Sequence, residues 1–198
     1  MDDEPEKEPK KPPPEKAEGS LTESLAFKSR VVLVFGEVDH AMARVTCQRL
    51  IALAHESDAP IQMMINSPGG HVESGDAIHD VIRFVRAPVT TIGTGWVASI
   101  GTHIFLAAPK ERRVCLPNTR FMIHQPAGGA GGPATDIAIQ AREIIRTRER
   151  IARVIVRQTG TPYERVLADM ERDYWMNAEQ AIEYGIVSRV VETYRELA

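Results

Sequence analysis

The chain has 198 residues, 43% hydrophobic and 26% charged, a size that suits one domain with a substantial core and is short for two. Its formal charge of −3 belongs to the first 20 residues, which hold seven acidic residues and four lysines; the remainder carries 20 of each sign. A body without charge excess gives no general electrostatic reason to hold nucleic acid or an anionic membrane, and two cysteines without a CxxC pair form no disulfide framework.

Residues 1–20 include five of the 13 prolines and little that can pack. They are expected to be a disordered, solvated tail, because so little apolar burial does not offset the entropy of ordering. One domain is expected over 21–198, with globular structure beginning near 21–29. The acidic start MDDEPEKEPKK lacks the apolar stretch of a signal peptide. The most apolar run, 92–108, falls short of the roughly 20 residues of a bilayer span. A cytoplasmic protein is therefore expected.

The run VVLVF at 31–35 predicts a buried strand. Apolar residues at helical spacing (Met42, Val45, Leu50, Ile51, Leu53) predict a helix over 40–56. IQMMI at 61–65 predicts a second strand, 74–85 a helix and 89–93 a third strand. Shorter strands are expected around 105–107, Val114 and 121–123. The longest helical pattern covers 134–159 and is stopped by Gly160. Thr161-Pro162-Tyr163-Glu164 and Asn177-Ala178-Glu179-Gln180 both read as capped helix starts, and Gly185 ends the last helix before a strand in 186–191. Repeated strand-helix units predict a parallel or mixed α/β sheet covered by helices.

Three glycine-rich stretches carry the chemistry. In NSPGG (66–70) a proline and two glycines allow close backbone approach, and such a turn can aim N–H groups at an anion. No GxxxxGK[ST] is present, which disfavours a nucleotide phosphate as that anion. In GWVASIG (95–101), Ser99 stands at a strand-to-helix turn; alone it reads more readily as a helix cap than as a nucleophile. In MIHQPAGG (122–129), His124 ends an apolar strand, where sites collect, although a lone histidine is more often structural. A serine nucleophile needs a base, and the base needs a carboxylate to hold its tautomer. The candidate carboxylate is Asp173, between two capped helices.

NSPGG (66–70), GWVASIG (95–101), MIHQP (122–126), ATDIAIQAREI (134–144) and ERDYWMNAEQAIEYGIV (171–187) together resemble the ClpP peptidases in order and spacing, over roughly 26–192. The resemblance implies the ClpP/crotonase-like fold, repeated strand-helix units with a mixed sheet and a protruding handle at about 125–159. It implies Ser99 as nucleophile, His124 as general base then acid, and Asp173 as orienting carboxylate. It places the oxyanion hole at the N–H groups of Gly70 and Ile100. Extended substrate would lie between Gly70-His71-Val72 and Gln125-Pro126-Ala127. Heptameric rings of the chain, stacked as a tetradecamer, would enclose the sites, with Glu171 and Arg172 in ring-to-ring contact. A separate AAA+ unfoldase would feed in unfolded polypeptides, and no cofactor or metal would take part. The family's usual N-terminal axial segment is replaced here by the Pro/Lys/Glu tail, and Trp96 and His103 are bulkier than the residues common near the nucleophile.

Other features are expected to be bland. His71, Glu73, Asp76, His79 and Asp80 match no zinc spacing and read as a solvated helix face. Arg142, Arg146, Arg148, Arg150, Arg153 and Arg157 form a basic helix face without interleaved aromatics, suited to subunit contacts rather than nucleic acid. Cys47 and Cys115 read as core residues. Two rival functions are a crotonase-like acyl-CoA enzyme, which needs no serine-histidine pair, and a non-catalytic ring partner with a misaligned triad.

Overall fold

The structure is a computed structural model describing residues 16–129 and 131–197. The expected tail lies, for residues 1–15, outside the described residues; residues 16–20 open the first helix, α1 (Lys16–Lys28). Strand-helix units follow as β1 (Val31–Phe35), α2 (His40–Glu56), β2 (Ile61–Ser67), α3 (Val72–Phe84), β3 (Val89–Ala98) and α4 (Ile100–Phe105). Then come β4 (Arg113–Cys115), β5 (Arg120–Ile123), α5 (Ala134–Thr159), α6 (Tyr163–Asp169), β6 (Tyr174–Met176), α7 (Ala178–Tyr184) and β7 (Arg189–Val190).

The seven strands form one sheet in the order β1-β2-β3-β4-β7, with β5 also paired to β3 and β6 to β5. Every pairing is parallel except β5 with β6, so the sheet is mixed as expected. At ten residues β3 is long enough to serve two neighbours. Thr91–Gly93 pairs with β4, and Trp96–Ala98 pairs with β5. Between those halves its register on β2 shifts, and Gly95 takes a φ of 59°. That bend carries the C-terminal end of β3 out toward the site.

The core is continuous between the sheet and its helices, centred on Val32, Val34, Leu50, Leu53, Ile65, Ile78, Ile104, Phe105 and Phe121. Only the C-terminal third of α5 joins it, through Ile151, Ala152 and Ile155, with Val156 packed against them. Farther N-terminal on the same helix, Ile137, Ile139 and Ile145 are 42%, 50% and 57% exposed, so α5 projects as a handle does. Arg113, wholly buried in β4, donates to Gln158 O and ties the sheet to the last turn of α5.

Several local expectations change. VVLVF is buried on one face only: Val32 and Val34 are wholly buried, whereas Leu33 and Phe35 are 45% and 46% exposed, because β1 is an edge strand covered on one side. Residues 105–107 form no strand; Phe105 ends α4, since the turn at Ser99 starts a helix. Thr161 does not cap α6. Pro162 stands at the cap position without a side-chain bond, and the Thr161 hydroxyl donates instead to Tyr184 O. The box at Asn177 and Gln180 forms in full. Among the described residues no helix is long and apolar enough to cross a membrane.

Candidate active site

β3 ends at Ala98 and α4 begins at Ile100, so Ser99 alone must reverse the chain. It does so with φ 56° and ψ −123°, a region that side chains other than glycine rarely enter. Strain of this kind costs on the order of 1–3 kcal/mol and persists only where the surroundings enforce it. Here they do. Ser99 N donates to Met122 O at 2.9 Å, and Thr102 N donates to Ser99 O at 3.0 Å. The Thr102 hydroxyl lies 2.7 Å from Val97 O and 2.8 Å from Met122 O, pinning the end of β3 to β5.

Strand register brings the other two groups to the serine. Ala98 pairs with Met122 in parallel, so the residues just beyond, Ser99 and Ile123-His124, lie side by side. Ile123 pairs with Tyr174 in antiparallel, which sets His124 opposite Asp173. His124 Nε2 lies 2.7 Å from Ser99 Oγ, and His124 Nδ1 lies 3.0 Å from Asp173 Oδ1. A carboxylate only accepts, so Nδ1 carries the proton and Nε2 is left free to accept from the serine hydroxyl. Ser99 and His124 are both half-buried, the His124 side chain 27% exposed, whereas that of Asp173 is 61% exposed.

The NSPGG turn backs onto the serine. A Cβ on Gly69 would sit 2.6 Å from Ser99 Cβ, and one on Gly70 would sit 2.3 Å from Val38 O, so neither position accepts a side chain. Ser67 Oγ accepts from Gly69 N at 3.1 Å. Val38 N donates to Gly69 O and His71 N donates to Val38 O. In such a parallel bridge the Gly70 N–H points away from Val38 and is not consumed by it. The Ile100 N–H belongs to the first turn of α4, where helix donors have no intrahelical acceptor. A Cβ on Gly75 would lie 2.1 Å from Ile100 Cγ1, so this glycine lets α3 close onto α4.

Gly70 and His71 are exposed and Val72 is half-buried; His71 Nδ1 caps α3 by accepting from Ser74 N. Across from them, Gln125 N donates to Met170 O and Gln125 Nε2 to Glu171 O, anchoring the Gln125-Pro126-Ala127 strip to the loop that carries Asp173. Val72 and Pro126 both line an apolar cavity beside Ser99 and His124, whose far wall is Ile151 and Ile155 of α5. Glu171 and Arg172 are exposed, and Arg148 reaches Glu171 at 2.8 Å.

One cluster escaped the sequence reading. Asp76 and His79 do not belong to a solvated face. The Asp76 carboxylate lies 3.0 Å from His103 Nε2 and 2.6 Å from Arg150 of α5. Burial opposes its ionisation, but hydrogen bonds from His103 and Arg150 outweigh burial and lower its pKa to about 2. His79 is 4% exposed, and its ring stacks on His103 at 4.5 Å. Burial, then repulsion from His103, pulls its pKa down to about 4. The available signal was spacing: His79 shares the buried stripe of Gly75, Ile78 and Ile82. Cys47 and Cys115 are both free; Cys115 is buried and Cys47 half-buried.

Comparison with known proteins follows this geometry. The family model described as Clp protease matches residues 15–194. An ATP-dependent Clp protease proteolytic subunit 3 of Rhizobium meliloti (strain 1021) is 54% identical over 179 residues, 90% of this chain and 92% of that one. An ATP-dependent Clp protease proteolytic subunit 2 of Gluconobacter oxydans (strain 621H) is 56% identical over 180 residues, 90% of this chain and 81% of its own. Among solved structures, ClpP1 from Listeria monocytogenes superimposes with a TM-score of 0.82 at 47% identity, covering 90% of this chain and 99% of that one. A mutant of that ClpP1 gives 0.84 at 48% identity with the same coverage.

Proposed function

The chain belongs to the Clp protease family as a proteolytic subunit, and from that premise we propose that it cleaves peptide bonds of unfolded polypeptides by acyl transfer through Ser99, His124 and Asp173. The observation that carries this reading is the unbroken contact series, 2.7 Å from Ser99 Oγ to His124 Nε2 and 3.0 Å from His124 Nδ1 to Asp173 Oδ1. Ser99 Oγ attacks the scissile carbonyl while His124 Nε2 takes its proton. Asp173 holds the ring in the required tautomer and stabilises the imidazolium. His124 then protonates the leaving amine, and water, activated by the same nitrogen, hydrolyses the acyl-enzyme.

The N–H groups of Gly70 and Ile100 stabilise the tetrahedral oxyanion. The bridge at Val38 and the helix start at Ile100 support that role by leaving both donors available. One such donor lowers the barrier by about 2.7–4 kcal/mol. Substrate lies extended between Gly70-His71-Val72 and Gln125-Pro126-Ala127. Main-chain pairing there reads backbone more than side chains.

The chain works within a ring assembly together with a Clp-family ATPase, and two stacked heptamers are the expected form. The exposed Ile137, Ile139 and Ile145 on α5 and the exposed Leu33 and Phe35 on β1 are apolar surfaces that neighbouring subunits would cover. Glu171 and Arg172 would take part in the ring-to-ring contact. The aligned triad favours a catalytic subunit over one that only builds the ring.

Ser99→Ala should reduce hydrolysis of small fluorogenic peptides to background and remove labelling by a serine-directed fluorophosphonate, with the assembly unchanged in size. A Ser99→Ala protein that still cleaves at the parental rate would refute the assignment.

A further inference from the structure

The cavity beside Ser99 is walled by three helices, with Val72 from α3, Thr102 and His103 from α4, and Ile151 and Ile155 from α5. Its volume is about 20 Å³, the room of a single water or a methyl group. Ser99 attacks the carbonyl of the residue preceding the cleaved bond, so the side chain of that residue is the one that meets this cavity.

One carboxylate joins all three walls. Asp76 stands one turn after Val72 on α3. Its partner His103 stands one turn after Ser99 on α4, and its partner Arg150 directly precedes Ile151 on α5. The Asp76 carboxylate lies 3.0 Å from His103 Nε2 and 2.6 Å from Arg150, and it accepts from both. His103 Nε2 carries a proton in this pairing whether the ring is neutral or charged, because a carboxylate only accepts.

The three walls are not held alike. A Cβ on Gly75, the residue before Asp76, would fall 2.1 Å from Ile100 Cγ1, so α3 and α4 meet with no room between them. By contrast, α5 enters the core only from Ile151 onward, and Ile139 and Ile145 before it are exposed. Arg150 stands at that boundary. Its bond to Asp76 therefore ties the projecting helix to the α3–α4 unit at the point where α5 becomes the far wall. The Asp76 side chain is 20% exposed and that of Arg150 47%, which shields the pair in part from solvent screening.

We propose that Asp76, through Arg150, sets the width of this pocket and makes the chain select a small side chain, alanine over leucine, at the residue preceding the cleaved bond. Asp76 is a positioning residue here: it touches no substrate and acts by holding α5 against α4. Alanine places one methyl in the space available. Leucine needs α5 to move away, against the Asp76–Arg150 bond. Apolar walls alone would favour leucine, which buries more apolar area, and the clamp reverses that order. The assignment rests on the proposed peptidase activity.

The test uses the assembled full-length chain and two fluorogenic peptides that differ only in Ala or Leu before the cleaved bond. The parental protein should give a kcat/KM for Ala about tenfold above Leu. Arg150→Gln releases α5 and leaves Asp76 bonded to His103. It should raise kcat/KM for Leu by about fivefold, while fluorophosphonate labelling of Ser99 persists. A defect of folding or assembly lowers both peptides together and does not raise one. Parental protein that cleaves Leu as well as Ala overturns the proposal without recourse to any variant, so it stays decidable if Arg150→Gln misfolds. A well-labelled Arg150→Gln protein that keeps the parental ratio also overturns it, and leaves the peptidase reading intact. Parental protein that shows neither labelling nor cleavage of either peptide overturns the two together.

Discussion

Ser99 and Asp173 stand at opposite ends of one hydrogen-bonded chain, but they are held in different ways. Ser99 is flanked by Ala98 and Ile100, 1% and 3% exposed, and its backbone is bonded to Met122 and Thr102. The Asp173 side chain is 61% exposed, and the loop that carries it is fastened by surface contacts from Gln125 and Arg148. The proposed nucleophile is thus placed by the folding of the core itself. The proposed orienting carboxylate stands just outside the sheet, one residue before the Tyr174–Ile123 pair, and on its other side a strap fastens it that can loosen while the fold persists. Damage near the nucleophile should therefore cost stability and turnover together, and damage near the acid should cost turnover alone.

Asp173→Asn offers the sharpest test of that separation. An amide at this position no longer enforces a proton on Nδ1 of His124, and in a triad such a change lowers kcat by about 10⁴-fold. Because the side chain is largely solvated, unfolding free energy should move by no more than about 0.5 kcal/mol. Peptide turnover beside a denaturant titration of the same protein checks both halves. A large loss of stability would mean that the acid also belongs to the core.

Gly70→Ala should show the opposite pattern. The residue has a φ of 144°, and a Cβ would collide with Val38 O at 2.3 Å. Accommodating it shifts the turn and the proposed oxyanion donor, which should cost about 10²–10³-fold in kcat. Backbone strain should remove a further 1–3 kcal/mol or so of stability. Turnover lost without any change in stability would break the contrast between the two halves.

Much of the nucleophile half was legible before folding because its determinants are local. Ser99 among small residues after a strand, the paired glycines behind NSPGG, the helix bounds at 134 and 159 and the box at Asn177 each act within a few residues. The pairing of Asp76 with His103 spans 27 residues and joins two helices, and no local pattern announces it. The one-sided burial of β1 was hidden for a related reason: VVLVF is apolar on both faces, and only the position of the strand in the sheet decides which face is covered. Thr161 misled because Tyr184 O, distant in sequence, drew its hydroxyl away from the cap.

The buried imidazole of His79 makes this side of the site sensitive to acid. His79 has a folded pKa of about 4 against an ordinary value of 6.5, so between those values the unfolded chain binds the extra proton and stability falls as pH falls. Between pH 7 and pH 5 the loss should be about 2 kcal/mol. Asp76, lowered to about 2, adds its own loss only below about pH 4. Denaturant titrations at the two pH values should show the drop, and His79→Phe, which keeps the stacked ring and removes the proton site, should flatten it. An unchanged drop in His79→Phe would place the acid sensitivity elsewhere.

The smallest effect belongs to the strap. Arg148 meets Glu171 at 2.8 Å, with side chains 33% and 62% exposed. An ion pair so open to water contributes at most about 1 kcal/mol, and less as salt rises. Arg148→Ala should therefore leave the melting curve almost unmoved. Glu171 also accepts from Gln125 Nε2 through its main-chain oxygen, and Met170 O accepts from Gln125 N, so the loop keeps two tethers, and Asp173 should drift rather than detach. Turnover should fall by about two- to fivefold, a change of at most ~1 kcal/mol in the barrier. Raising ionic strength should bring the parental protein down toward the variant while the variant itself responds little. If turnover and salt response were both unchanged, Gln125 alone would hold the acid, and the strap would be a matter of backbone rather than charge.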